Sequence, residues 1–549
     1  MRNAVRFAAT GFEPYEREFS RAAAVMESNA VIPRIWRKDF TVWKEKDEEI
    51  SARLGWLEAP YYAVGILPGI DAFAREIRKA GYEQALLLGM GGSSLAPEVF
   101  SRVFGIKKGY LAVDVLDSTD PEAVLGTAEK LSWEKTIVIA SSKSGTTLET
   151  ASLLNFFYTR ALGVLGRERA GAHFAAITDP GTPLEKIARE LSFRRIFSGN
   201  EDIGGRFSVL SAFGLVPAAL LGMDIPRFLD CARQAAGECG TSKARENPGA
   251  RLGLWLGIMA AAGRDKAVFL LSPGIASFGS WLEQLLAEST GKEGRGILPL
   301  VRDAGFSFER DAPDRLVIHL GIAGDTAQAE KLERIGRNGT PLISYALEDV
   351  YELGSQFFVW EMATAVAGYL LEVNPFDQPN VASSKKKTEA VLRLPQRRGD
   401  QLDDNPAVEN DLLPFLARAE SGDYMAVQAF LPPDPDIRGR LEEFAAEVRA
   451  KTDLPVTCDF GPRFLHSTGQ LHKGGRGNGL FIQLTAGHAK DAKVPSGPGS
   501  PSSSYSFGTL IDAQAKGDRE ELRERGRRLI HFHFSDGASE GIRRLTESL

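Results

Sequence analysis

Three short apolar runs, Ala85-Leu86-Leu87-Leu88, Thr136-Ile137-Val138-Ile139-Ala140 and Phe174-Ala175-Ala176-Ile177, each pass directly into Gly, Ser, Thr or Asp, and helical sequence follows. A strand covered on both faces reads as an unbroken apolar run, and a helical crossover is what joins parallel neighbours. The alternation therefore constrains the chain to a doubly wound, parallel α/β sheet. It returns after Pro226, where Ala267-Val268-Phe269-Leu270-Leu271, Leu316-Val317-Ile318-His319-Leu320 and Pro341-Leu342-Ile343 read as strands and Gly354 to Glu372 as a long helix. Two α/β units of similar style are expected, without a strict sequence repeat. A chain of 549 residues exceeds what one hydrophobic core serves.

Four segments follow from this reading. Residues 1–60, charged and carrying Trp36, Trp43 and Trp56, form an N-terminal helical arm that packs but holds no site. Residues 61–225 and 226–395 are the two α/β units, and 396–549 a C-terminal α/β domain. Lys385-Lys386-Lys387 and the polar stretch Arg397 to Asn405 suggest a linker into that last domain. Within it, Met425 to Phe430, a helix near Ile437 to Thr452 and Pro455-Val456-Thr457 give a β-α-β pattern. Pro495 to Ser504 reads as a mobile Gly/Pro/Ser loop. A last helix, Arg519 to Arg528, and a strand, Ile530 to Phe534, close the chain.

The net charge of -6 and pI near 5.9 offer no electrostatic support for nucleic acid or an anionic membrane as partner. Any anion site must be built locally. No apolar run is long enough to span a bilayer. Cys231, Cys239 and Cys458 are too few and scattered for a disulfide framework or a zinc site. No metal or cofactor is expected, and the start lacks a signal-peptide core, so a cytoplasmic location is expected.

Two strand-to-helix junctions carry anion-binding chemistry. In Leu88-Gly89-Met90-Gly91-Gly92-Ser93-Ser94 the glycines allow a tight turn, and the following helix offers unpaired N–H groups. Alone, this fits equally a plain βα turn with capping serines. A dinucleotide fingerprint starts similarly, but no acidic ribose-binding residue ends a clear second strand. In Ser141-Ser142-Lys143-Ser144-Gly145-Thr146-Thr147, hydroxyls, one cation and one glycine follow a strand end, as suits a phosphate monoester. No Walker arrangement is present.

Three more segments hold chemistry. Ser280 to Gly291 reads as an amphipathic helix that places Gln284 and Glu288 on one face, with Glu288 near its end. Gly204-Gly205-Arg206 can bring a fixed positive charge close to a ligand oxygen. Asn374-Pro375-Phe376-Asp377-Gln378 precedes the lysine cluster.

Together these segments resemble the phosphoglucose isomerase family with its sugar-isomerase (SIS) fold. Ser-Lys-Ser-Gly-Thr-Thr is similar to its phosphate loop, Glu288-Ser289-Thr290-Gly291-Lys292 to its Glu-Ser-Asn-Gly-Lys, Gly204 to Ser211 to its Gly-Gly-Arg segment, and Asn374 to Gln378 to its Asn-x-Phe-Asp-Gln. The region from Arg37 to Leu57 and Glu-Ser-Thr-Gly-Lys-Glu-Gly look most like the isomerase half of transaldolase–isomerase fusions, without room for a transaldolase barrel. The resemblance implies a glycolytic and gluconeogenic aldose–ketose isomerase acting on glucose 6-phosphate and fructose 6-phosphate, as a homodimer. It implies Gly92, Ser93, Ser142, Lys143, Ser144, Thr147 and Gly205 as phosphate or substrate contacts, and Gln284 and Gln378 as substrate contacts. Glu288 is then the base, Arg206 the enediolate stabiliser and Lys385 a ring-opening contact, with Lys386 and Lys387 as neighbouring alternatives.

Histidine departs from the family order. Only His319 lies between Glu288 and Asn374, inside an apolar strand. The His-Ser-x-Gly-Gln resemblance falls later, in Phe464-Leu465-His466-Ser467-Thr468-Gly469-Gln470-Leu471-His472. His466 is the expected ring-opening residue, His472 the weaker alternative, and the C-terminal domain is expected to fold back and supply it. A non-catalytic SIS-type regulator and a dual phosphoglucose/phosphomannose isomerase are the competing readings.

Overall fold

The computed structural model describes residues 6–301, 312–393 and 406–549. Strand β1 is Arg6–Thr10. The first sheet follows as β2 (Gln84–Leu88), β3 (Ala112–Leu116), β4 (Thr136–Ser141), β5 (Phe174–Thr178) and β6 (Arg195–Ser198), all parallel, in the order β3-β2-β4-β5-β6. The chain steps from β2 to β3 at one edge, then crosses to β4 and continues to β6 at the other, so the switch point lies between β2 and β4. Ligands bind at the carboxyl ends of strands at such points. Both hydroxyl loops, after β2 and after β4, sit there.

The second sheet repeats the plan with β7 (Lys266–Leu271), β8 (Leu298–Leu300), β9 (Arg315–Ile322) and β10 (Leu342–Leu347) parallel, in the order β1-β10-β9-β7-β8. β1 closes its edge antiparallel to β10. The arm is thus not wholly helical: its strand belongs to the second sheet, and its helix Glu16–Ser28 packs on helix Pro248–Ala261. Tilted ring contacts of Phe12 and Phe19 with Trp255 explain the attachment.

The C-terminal sheet comprises β11 (Tyr424–Phe430), β12 (Val456–Phe460), β13 (Gly479–Ala486) and, after the hairpin β14 (Lys493–Pro495) and β15 (Ser503–Ser506), β16 (Arg528–Phe534). Its order is β12-β11-β13-β16, all parallel. Among the described residues the chain is therefore α/β, with three mainly parallel sheets, the second edged by antiparallel β1, and one antiparallel hairpin.

Three expectations change here. Pro495 to Ser504 is not a free loop, because β14 and β15 pair and the turn is pinned to helix Leu148–Leu165: Asn155 Nδ2 donates to Pro495 O at 3.0 Å, and Gly499 N to Thr159 Oγ1 at 2.9 Å. The helix expected at Arg519 to Arg528 runs instead from Phe507 to Glu524, and the strand expected to close the chain is followed by a further helix, Ala538–Glu547. The lysine cluster lies within helix Pro379–Arg393, which packs along that helix; Gly517 permits the approach, since a methyl there would meet Thr388 Oγ1 at 2.8 Å. The expected linker Arg397 to Asn405, the 395/396 boundary and the first five residues lie outside the described residues.

One apolar core joins the arm, the first sheet's inner face and the second sheet. The C-terminal sheet has its own core, and a further cluster packs it on the second sheet through Tyr424, Ala426 and Phe481. No helix among the described residues is long and apolar enough to cross a membrane.

Candidate active site

A cleft of about 780 Å³ opens where the first sheet, the second sheet and the C-terminal part meet. Its walls include Gly92, Ser93, Lys143, Ser144, Thr147, Gly205, Arg206, Gln284, Glu288, Gln378, Lys385 and His466. Residues from widely separated stretches of sequence are thereby brought together. Ser142 stands directly behind, its Oγ 3.1 Å from Thr147 Oγ1.

The loop after β4 leads into helix Leu148–Leu165, whose Thr147 N-cap makes no side-chain cap bond. First-turn amides and the positive helix end therefore face the hydroxyls, an anion-binding arrangement. Lys143 also has protein partners of its own. It lines the cleft, but its ammonium is paired with Asp179 and donates to Glu201 O at 3.1 Å. Its charge ties this loop to the segments after β5 and β6.

Opposite, Gly92 meets Gly205 backbone to backbone. A methyl on Gly92 would lie 2.0 Å from Gly205 O, so no other residue fits without parting the loops. A methyl on Gly205 would meet nothing within 4 Å, so that glycine is not sterically required.

Helix Phe278–Thr290 follows β7 and delivers Gln284 and Glu288 one turn apart. Both are buried. Gln284 Nε2 donates to Glu288 Oε2 at 3.1 Å and to His466 O at 2.8 Å. Arg206 Nη1 approaches Glu288 Oε1 at 3.8 Å. The guanidinium has further partners: Nε donates to Ser289 Oγ at 2.7 Å, Nη1 to Gln378 Oε1 at 3.3 Å, and Nη2 to the carbonyls of Pro375 and Asp377. Burial lowers the Arg206 proton affinity, and the Glu288 and Asp377 carboxylates oppose that shift.

Lys292, which closes the Glu-Ser-Thr-Gly-Lys run, has no role assigned from sequence. It is buried and donates to Asn374 O, Asp377 O and Asp377 Oδ1. Burial, reinforced by the Arg206 charge, pushes its ammonium down to about 7. Arg206 and Lys292 together suspend the Asn374–Gln378 turn over the cleft. Thr290, in the position of the commoner Asn, is structural: its hydroxyl donates to Leu286 O at 2.7 Å and accepts from Ile297 N at 2.9 Å.

The lysines of the cluster differ in surroundings. Lys385 is exposed and lines the cleft, whereas Lys387 is drawn off by Glu521 and Glu524. The histidines differ as well. His466, on the turn after β12, lines the cleft, and its Nε2 lies 3.0 Å from Glu149 Oε1. His472 is sealed among Tyr424, Phe464 and Phe481, where burial lowers its proton affinity well below the usual imidazole value. His319 stays in β9, its Nδ1 2.8 Å from Ser344 Oγ. The C-terminal part folds back against the cleft and places His466 in its wall.

Glu149 is the main residue that sequence reasoning missed. Burial would raise its carboxyl, but His466, by charge and hydrogen bond, and the Lys385 charge outweigh burial and hold it at about 2. Glu149 lies in the first turn of helix Leu148–Leu165, where the helix dipole favours a carboxylate, so its place in the sequence reads as ordinary and its partner His466 is not visible locally. The arm contributes as well, against expectation: Glu48, Glu49 and Arg53 line the cleft, and Asn374 Nδ2 donates to Glu48 O at 2.9 Å.

The sequence profile of the phosphoglucose isomerase family matches residues 79–296. The glucose-6-phosphate isomerase of Geobacter sp. (strain M21) is 30% identical over 405 residues, covering 62% of this chain and 74% of the relative. That of Methanocaldococcus jannaschii is 28% identical over 344 residues, covering 56% and 83%. Among solved structures, a hypothetical protein from Thermus thermophilus superposes with a TM-score of 0.61 at 26% identity, covering 71% of this chain and 100% of that one. A glucose-6-phosphate isomerase from Chlamydia trachomatis shares the fold at a TM-score of 0.53 and 21% identity, over 67% of this chain and 80% of its own. With signatures, fold and a relative covered over most of its length in accord, the chain belongs to the phosphoglucose isomerase family.

Proposed function

We propose that the chain interconverts glucose 6-phosphate and fructose 6-phosphate by moving one proton between C1 and C2 through an enediolate. The observation that carries this reading is the meeting, in one cleft, of an acid–base carboxylate (Glu288), a buried guanidinium 3.8 Å from it (Arg206) and two hydroxyl-rich anion loops.

Ser93, Ser142, Ser144 and Thr147, with the first-turn amides after Thr147, hold the phosphate. Lys143 keeps that loop in place through Asp179. His466 exchanges a proton with the ring oxygen or anomeric hydroxyl, with Lys385 beside it, and the chain form of the sugar results. Glu288 takes the C2 proton of the aldose and returns it to C1, while the O2 hydroxyl proton passes to O1, so the carbonyl moves from C1 to C2. Arg206 offsets the charge that grows on the enediolate oxygens and is already desolvated, so little reorganisation is needed at the moment of transfer. Gln284 and Gln378 contact the sugar hydroxyls. The proton is returned, so no redox partner enters the balance.

The same reading takes the enzyme as a cytoplasmic homodimer with a small sugar phosphate, not nucleic acid, as its partner. Exposed Tyr61, Tyr62 and Val64 on helix Ala59–Lys79 support a surface for the second copy. The proposed domain limits are 1–60, 61–225, 226–395 and 396–549. The test is a coupled assay with fructose 6-phosphate and no added metal, in which steady formation of glucose 6-phosphate is expected; no turnover with folded protein would overturn the reading.

A further inference from the structure

Behind the cleft, a hydrogen-bonded chain leads away from His466. Glu149 Oε1, which faces His466 Nε2 at 3.0 Å, also accepts from Gln514 Nε2 at 2.8 Å. Gln514 Oε1 in turn accepts from Thr119 Oγ1 at 2.6 Å. Thr119 is 0%, Gln514 2% and Glu149 4% exposed, so these bonds are made away from bulk solvent. The groups come from three places: Thr119 from the turn after β3, Glu149 from helix Leu148–Leu165, and Gln514 from helix Phe507–Glu524.

The direction of the chain is chemically fixed. An ionised carboxylate tolerates only donors beside it, so the Gln514 amide must turn its NH₂ to Glu149 and its oxygen away. The Thr119 hydroxyl meets that oxygen as a donor and prevents the amide from turning over. A carboxylate oxygen held by one neutral donor is restricted in where it can lie, and its second partner, the His466 ring, is oriented with it. Which imidazole nitrogen carries the proton follows from the hydrogen bond the ring makes.

We propose that Gln514, oriented by Thr119, is a positioning residue for ring opening: it fixes Glu149 so that His466 presents its ring to the sugar in one orientation. Neither Gln514 nor Thr119 touches the substrate. The proposal rests on the reading of His466 as the ring-opening group. It also gives the C-terminal part a second contribution: it brings both the histidine and, through Gln514, the residue that sets the histidine's partner.

The experiment compares Gln514→Leu, Thr119→Val, Thr119→Ser and His466→Ala in the full chain. It measures kcat and KM with fructose 6-phosphate and the affinity for 5-phosphoarabinonate, an acyclic mimic that needs no ring opening. Loss of the hydrogen bond to the buried Glu149 charge predicts a fall in kcat of about 10- to 100-fold for Gln514→Leu, and loss of the neutral Thr119–Gln514 bond a smaller fall of about 3- to 10-fold for Thr119→Val. KM and mimic affinity should stay within about twofold of the parent, and Thr119→Ser, which keeps the hydroxyl, should restore kcat. Parental kcat in both Gln514→Leu and Thr119→Val, beside an impaired His466→Ala, would overturn the positioning role. Equal loss of kcat and mimic affinity would do the same, by showing general damage to the site. A fully active His466→Ala would remove the reading beneath the proposal, and the proposal with it.

Discussion

Gln284 donates its side-chain amide to the main-chain carbonyl of His466 at 2.8 Å, and the same nitrogen lies 3.1 Å from the Glu288 carboxylate. One side chain thus sets the distance between the group assigned to proton transfer and the segment assigned to ring opening. Gln284→Leu removes both bonds and should lower kcat/KM by about 10- to 100-fold. Gln284→Glu places a second carboxylate beside Glu288 and should be worse at neutral pH. Steady-state kinetics of the two variants check the order.

Arg206 offers a test that joins stability to catalysis. Its guanidinium engages Ser289, Gln378 and two carbonyls besides Glu288. Arg206→Met leaves Glu288 buried without its cation and should cost about 3–5 kcal/mol of stability. Arg206→Lys keeps the charge but loses the fork, so it should recover part of the melting temperature while kcat remains depressed. Calorimetry beside kinetics separates the two effects.

The paired glycines predict opposite outcomes for one added methyl. In Gly92→Ala the methyl meets Gly205 backbone at 2.0 Å, forcing the two loops apart; a loss of about 1–3 kcal/mol and most of the activity is expected. In Gly205→Ala it enters open space, so the melting temperature should hold while KM rises. Thermal melts and KM for both variants decide this.

Glu149 gives a pH signature. Its carboxyl titrates at about 2 in the folded chain against an ordinary 4.5, so the stability it contributes is complete above about 4.5 and is lost as pH falls through 2. The difference in melting temperature between the parent and Glu149→Gln should be largest above about pH 5 and should narrow steadily toward pH 2. A difference independent of pH would contradict the assignment.

What the sequence showed depended on how each segment is covered. β2, β4, β5, β7 and β9 are largely buried on both faces and read as mostly apolar runs, while β11, equally buried, is interrupted by Gln428. β3 and β6 lie at sheet edges, where the exposed Asp114 and Arg195 break the run. β13 is buried throughout but carries Gln483, made tolerable by Ala515 and Arg519 from the neighbouring helix, partners that no local pattern displays. The same division holds in the site. Glu288, Arg206 and the hydroxyl loops sit in recognisable segments, whereas the tie between Glu149 and His466 spans 317 positions and exists only once the C-terminal part has folded back.

The central claim is that this cleft isomerises a sugar phosphate with Glu288 as its base. The most direct measurement is the turnover of fructose 6-phosphate by Glu288→Gln, beside its affinity for 5-phosphoarabinonate. Glutamine keeps the shape but accepts no proton, so kcat should fall by about 10²- to 10⁴-fold while the mimic still binds within a few-fold of the parent. Turnover near the parental rate in the purified, folded variant would contradict the account.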